Sequence, residues 1–313
     1  MTHLLLDTLN VSLPVFTMVF MGILLKRLGW IDQAFINTAS SLVFKVTMPA
    51  LLFLSILRAE PGEDFQLGLV VYYLIISALM FVLIWAWSLY RCPRQQRGVY
   101  VQAAFRGNCG IMGLALATSM YGELGLSLGG VMAGGIIMLN LVLSAIVLAV
   151  YSPLVNSHPG AILKDVATNP LIIGIAGGLL LGWLDIGLPG WLMTSGDYLA
   201  SMSLPLALIC VGGSLSLAAI KQGSLLALDA SLWKVVIMPL LGVLLALPLG
   251  FRGPELGILF LFLGSPTAAV AFVMARAAGA NTDLTSNIIM QSTLLSLVTL
   301  TLGIFVLTLL GLI

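Results

Sequence analysis

Two interrupted stretches in an otherwise apolar chain carry residues whose types and spacing could do chemistry. The first reads Ala104-Phe105-Arg106-Gly107-Asn108-Cys109-Gly110 and sets two glycines, an amide and a guanidinium in the middle of a hydrophobic run. Each glycine costs about 1 kcal/mol of helix propensity, so the segment is expected to unwind. Arg106 can bind a carboxylate bidentately, or it can satisfy carbonyls that the break sets free. Asn108 brings both a donor and an acceptor. The second stretch is Gly264-Ser265-Pro266-Thr267. There the proline removes a backbone donor and frees carbonyls of the preceding turn. Each break starts a new half-helix whose first N–H groups are unpaired and partly positive. Two such ends facing one cavity, with Lys45 and Arg106 as the ionisable residues assigned to spans and no acid assigned to mid-span, make a field that favours anions.

Other residues could join that cavity. Asn140 is a further buried amide, which binds a ligand or holds helices together. Lys45 either contacts the ligand or extends its four methylenes toward the surface. Ser265 and Thr267 border the second break, and Pro49 and Pro205 are expected, with Gly110 and Pro266, to act as hinges or helix breaks. Small residues four apart in Gly130-Val131-Met132-Ala133-Gly134 and Gly174-Ile175-Ala176-Gly177-Gly178 are expected to be packing faces.

The elements that must position these residues are membrane spans. Of 313 residues, 60% are hydrophobic and 8% charged, too few polar groups to cover a water-soluble globule. Nucleic acid is excluded as a main partner because the net charge is +1 and no basic run could track phosphates. Apolar runs give spans near 8–25, 36–57, 67–90, 98–121, 127–150, 169–184, 196–218, 231–250, 255–276 and 285–312. The first is read as a permanent span rather than a cleaved leader. With about 20 residues per crossing, the fold class is an all-α integral membrane protein of ten transmembrane helices. The odd cysteine count, Cys92, Cys109 and Cys210, implies no disulfide framework.

Connections on one side carry Lys26, Arg27, Arg91, Arg94, Arg97, Lys164, Lys221, Lys234 and Arg276, and those on the other only Arg58 and Arg252. This bias puts both termini on the outer, periplasmic side of an inner (plasma) membrane, where Glu60, Glu63, Asp64, Glu123, Asp185, Asp197 and Glu255 also collect. An offset of about 156 residues pairs Pro14 with Pro170, Gly22 with Gly178, Pro49 with Pro205 and Gly110 with Pro266. The chain thus divides into residues 1–150 and 151–313, two five-span repeats. Five being odd, the second is inverted, with broken helices 4 and 9 meeting near mid-membrane.

Asn108, Met112-Gly113 and Met120-Tyr121-Gly122 resemble the span-4 signature of the auxin efflux carrier family, which includes plant PIN-type carriers and bacterial organic-anion permeases. In span 9, Pro266, Phe272-Val273, Ala275-Arg276 and Asn281 are similar to that family's pattern. Met48-Pro49-Ala50-Leu51-Leu52-Phe53 and Leu204-Pro205-Leu206-Ala207-Leu208 resemble its kinked spans 2 and 7. The resemblance covers essentially the whole chain. It implies a scaffold of spans 1, 2, 6 and 7, a transport domain of spans 3, 4, 5, 8, 9 and 10, a substrate site at the crossing of spans 4 and 9, a homodimer and an elevator-like movement. Two departures stand out: Ala115 replaces a proline common after Met-Gly, and the segment 152–168 is short where plant carriers have a long hydrophilic loop. A plant hormone substrate is therefore not implied.

The function read from these features is a secondary transporter for a small organic anion, a mono- or dicarboxylate, held by the helix ends, residues 106–110, Asn140, Lys45 and residues 265–267. No cofactor or metal is expected. The rival in the same class is a sodium-coupled carrier of the bile-acid type. A channel is another alternative. An intramembrane hydrolase lacks its parts, since Gly212-Gly213-Ser214 has no buried base and the histidines are His3, near the start, and His158, in a connection.

Overall fold

The computed structural model describes residues 2–58, 67–151, 164, 167–184, 186–215 and 224–313. Glu60, Glu63, Asp64, Asp185, Lys221, His158 and most of the 152–168 connection lie outside the described residues. Apolar runs form helices throughout: α1 Thr2–Arg27, α2 Gln33–Arg58, α3 Leu67–Arg91, α4 Arg94–Phe105, α5 Cys109–Tyr151, α6 Pro170–Trp183, α7 Gly190–Ser214, α8 Leu225–Leu249, α9 Gly253–Gly264, α10 Val270–Ala277 and α11 Thr282–Leu309. Gly122 takes φ 58° and divides α5 into two runs. Among the described residues, seven helices are long and apolar enough to cross a membrane, and α6 and α9 are shorter apolar helices. The molecule is a multi-pass helical membrane protein.

Local chemistry sets the helix ends. Asp32, Asn169, Ser224 and Asn281 accept from backbone N–H groups two or three residues on, capping α2, α6, α8 and α11. Arg97 donates to the carbonyls of Cys92 (3.0 Å) and Leu89 (2.9 Å), a cation where the end of α3 is partly negative. The three cysteines are buried and unpaired.

The helices continue through their inner prolines. α1 runs on through Pro14 and α7 through Pro205, so of the two roles expected of Pro205, hinge or helix break, the break does not occur. Pro49 follows a widened π turn, Val43–Thr47, and Pro239 follows another, Trp233–Ile237. A proline ring clashes with the carbonyl four residues earlier, and a widened turn moves that carbonyl away. The helix therefore continues at Pro49 as well.

The largest departure from the sequence reading is α8, which begins at Leu225 under the Ser224 cap rather than at 231. Asp229 is thereby drawn into the helix, and Lys234, at the edge of the expected span, comes to lie well inside it. Asp229 accepts from Tyr100 Oη and, at 3.1 Å, from Trp87 Nε1, so it enters the helix with partners. Lys234 was assigned to a connection and counted in the positive-inside bias; its removal leaves eight cations against two.

Helices α1, α2, α6 and α7 pack on one another through close backbone approach. A Cβ on Gly22 would lie 2.1 Å from Ile209 O, and one on Gly212 would lie 1.8 Å from Val19 O. Gly174 and Gly178 press in the same way on Pro49 O and Phe53 O. Small residues let membrane helices approach this closely. Gly22→Ala should separate α1 from α7 and cost about 1–3 kcal/mol, read as a lower melting temperature of the purified protein in detergent. The remaining helices surround α4 and α9, each of which touches α3, α5, α8 and α11.

Candidate functional site

The site is built where the chain breaks twice. Residues 106–108 separate α4 from α5, and residues 265–269 separate α9 from α10. Neither segment could stand open to lipid, because each unpaired backbone group there costs several kcal/mol. They satisfy each other. Asn108 N donates to Pro266 O at 2.6 Å, Ala268 N donates to Arg106 O at 3.0 Å, and Gly107 and Thr267 form an antiparallel bridge.

The orphan carbonyls at the helix ends are taken up by side chains. Thr267 Oγ1 donates to Ala103 O near the end of α4 at 2.8 Å. Ser265 Oγ donates to Phe262 O at 2.8 Å, and Lys234 Nζ to Leu263 O at 2.5 Å, both at the end of α9. Thr267 N is held by Ser292 Oγ of α11 at 3.1 Å. These contacts place one cation and two hydroxyls at the partly negative C-terminal ends of the first half-helices. The partly positive first turns of α5 and α10 carry no such side-chain cap.

Lys234 is fully buried (0% exposed) and lies against the bare face of Gly107, where a Cβ would come 3.0 Å from Nζ. Arg106 is 8% exposed. Its Nη1 donates to Ser144 Oγ at 3.1 Å and to Met274 Sδ at 2.8 Å. No carboxylate pairs with either cation among the described residues. Two buried positive charges without an acid are costly unless a ligand supplies the negative charge.

Asn108 completes the centre. It is 7% exposed, its carbonyl accepts from Met112 N at 2.9 Å, and its Nδ2 is buried without a hydrogen-bond partner. Gln102 Oε1, one turn before Arg106, is likewise unpaired. A buried amide donor left unpaired costs about 1–3 kcal/mol.

A cavity of about 1030 Å³ has in its wall Ile111, Ala269 and Val270, which lie within or next to the two breaks. Gln33, Asn37, Ser40 and Ser41 line it from α2, and Arg276 and Val273 from α10.

Of the residues singled out in the sequence, the structure brings residues 106–108 and 265–267 together by direct contacts. Cys109 and Gly110 open the first turn of α5, a widened turn. Asn140 is buried on the α5 face that runs from Ile137, 3.9 Å from a Cβ at Gly110, to Ser144, which holds Arg106. Lys45 does not join them: it is exposed on the widened turn of α2. Lys234, Gln102, Ser144 and Met274 were missed. For Lys234 a signal existed, because the apolar run continues on both sides of it from Leu225 to Leu249.

Comparison with known proteins identifies the family. Residues 9–304 match the family described as "Membrane transport protein". An "Uncharacterized transporter" of Methanocaldococcus jannaschii is 26% identical, over 85% of this chain and 88% of its own length. One of Methanothermobacter thermautotrophicus is 27% identical over 92% of this chain and 94% of its own length. A protein of Rhizobium meliloti named "Putative malonate transporter" is 26% identical over 92% of each chain. With a match that runs almost from end to end of the sequence, the chain belongs to this membrane transport family, the auxin efflux carriers.

Proposed function

We propose that this protein is a secondary carrier for a small organic anion, a carboxylate, which binds at the crossing of the two broken helices. The observation that carries the reading is the unpaired, buried Nδ2 of Asn108, set in a centre whose charged side chains are Arg106 and Lys234. A carboxylate would accept from the amide and offset the cations, removing two costs at once. The name of the Rhizobium meliloti relative supports a short dicarboxylate as the first candidate.

The carrier alternates access by an elevator-like displacement of α3, α4, α5 and α8–α11 against a scaffold of α1, α2, α6 and α7. Close glycine contacts within the scaffold and the exchange of backbone bonds between the breaks support that division. The chain is two inverted repeats, residues 1–150 and 151–313, making ten spans. An antiparallel bridge between equivalent breaks is the pairing that two oppositely oriented copies would make. The protein is a homodimer in the inner membrane, as the family resemblance implies, with both termini outside, a placement that the charge bias supports.

A thermal-shift screen of the purified protein against small organic acids, amines and sugars tests the reading. A carboxylate at a hundred times its Kd is expected to stabilise the wild type by about 2.7 kcal/mol and to leave Arg106→Ala unshifted. Stabilisation by an amine or a sugar, and not by any acid, would overturn the anion site.

A further inference from the structure

The cavity beside the crossing has a charge pattern of its own. Its lining includes two cations, Lys26 and Arg276, and no aspartate or glutamate. They come from separate parts of the molecule: Lys26 from the last turn of α1, and Arg276 from the last turn of α10. Lys26 Nζ is fixed by one hydrogen bond to Gly213 O at 2.6 Å, which leaves two N–H groups for another acceptor. Gln33, Asn37, Ser40 and Ser41 lie along one stripe of α2, and Val273 and Val270 precede Arg276 along one stripe of α10. The lining thus combines cationic and polar groups of α1, α2 and α10 with apolar Ile111, Ala269 and Val270 beside the breaks.

We propose that this vestibule holds a second anion site, formed by Lys26 and Arg276, that receives a carboxylate before it reaches the crossing. The proposal rests on the carrier reading above and adds a separate station to it. A cleft with low-dielectric walls and charge of one sign focuses field lines and concentrates counter-ions. At about 1030 Å³ the cavity has room for a small dicarboxylate clear of Asn108. A carboxylate between Lys26 and Arg276 would touch both α1 and α10. Its binding would thus be specific to the conformation in which those helices flank the cavity.

The test reads the vestibule directly, with Ser41→Cys as a reporter in a full-length chain whose Cys92, Cys109 and Cys210 are replaced by serine. A sulfonate-bearing and a trimethylammonium-bearing methanethiosulfonate are compared, each normalised to a free thiol. The anionic reagent is expected to react about tenfold faster, an advantage that added salt reduces. Lys26→Gln and Arg276→Gln should each reduce the advantage, and Lys26→Glu with Arg276→Glu should reverse it. Malonate should protect the reporter thiol from both reagents, and should still do so when Arg106→Ala is added. Equal rates for the two reagents, an unaltered ratio in the charge variants, or protection that vanishes with Arg106→Ala would each overturn the second site. Protection without transport would instead sink the carrier reading and leave the vestibule site standing.

Discussion

Asn108→Ala is expected to lower carboxylate uptake into proteoliposomes by about 10- to 100-fold while leaving the melting temperature of the free protein unchanged or higher. The magnitude follows from the loss of one hydrogen bond to a charged ligand, worth about 1.5–3 kcal/mol. The absence of a stability penalty follows from the structure, because Nδ2 has no partner to lose. Met112 N would still reach the backbone carbonyl of residue 108, and the bond from residue 108 N to Pro266 O would remain. Asn108→Asp separates charge from shape: it keeps the size and adds a negative charge beside Arg106 and Lys234, so carboxylate binding should fall further than in Asn108→Ala. Uptake within twofold of wild type in Asn108→Ala would remove this residue from the site.

Lys234→Met should abolish transport, by about 100-fold or more, without unfolding the protein. Methionine keeps most of the side-chain length and removes the ammonium. Two opposed costs decide the stability. Leu263 O loses its donor, about 1–3 kcal/mol, whereas removing a buried ammonium relieves a desolvation penalty of several kcal/mol. The melting temperature should therefore hold or rise as activity is lost, and ligand-induced stabilisation should disappear with it. A collapse in melting temperature together with activity would assign Lys234 to holding the end of α9 alone. A variant that transports normally would remove it from both roles.

The two broken helices were legible in the sequence because their residue types are costly in a lipid-buried helix. Arg106, Asn108 and the two adjacent glycines, and Pro266 next to Gly264, announce a break whatever the neighbours. Lys234 was not legible by the same rule. Asp229 and Lys234 together resemble the charged edge of a span, whereas the partners of Asp229, Tyr100 on α4 with Trp87 and Arg91 on α3, accommodate it in a helix that starts six residues earlier. Those partners are more than a hundred residues away in the chain, beyond the reach of any local pattern. Lys45 misled for the converse reason. It sits on an exposed face of the widened turn of α2, whereas Lys234, in the similar turn of α8, is buried against the second break. Ser265 and Thr267 were correctly placed at the break, but composition alone could not show that their hydroxyls are already engaged by Phe262 O and Ala103 O.

The backbone exchange between the breaks also bears on how the chain is made. Gly107 leaves the ribosome 160 residues before its partner Thr267, the difference between the two positions of the bridge. At roughly 5–20 residues per second that interval is about 10–30 s. Throughout it, Arg106 O and Asn108 N lack the groups they bond in the finished protein. Exposed to lipid, they would cost several kcal/mol each, so the first half of the chain must keep them beside water or the insertion machinery until the second half arrives. Neither the α4–α5 nor the α9–α10 junction has its backbone bonds complete until both segments are present.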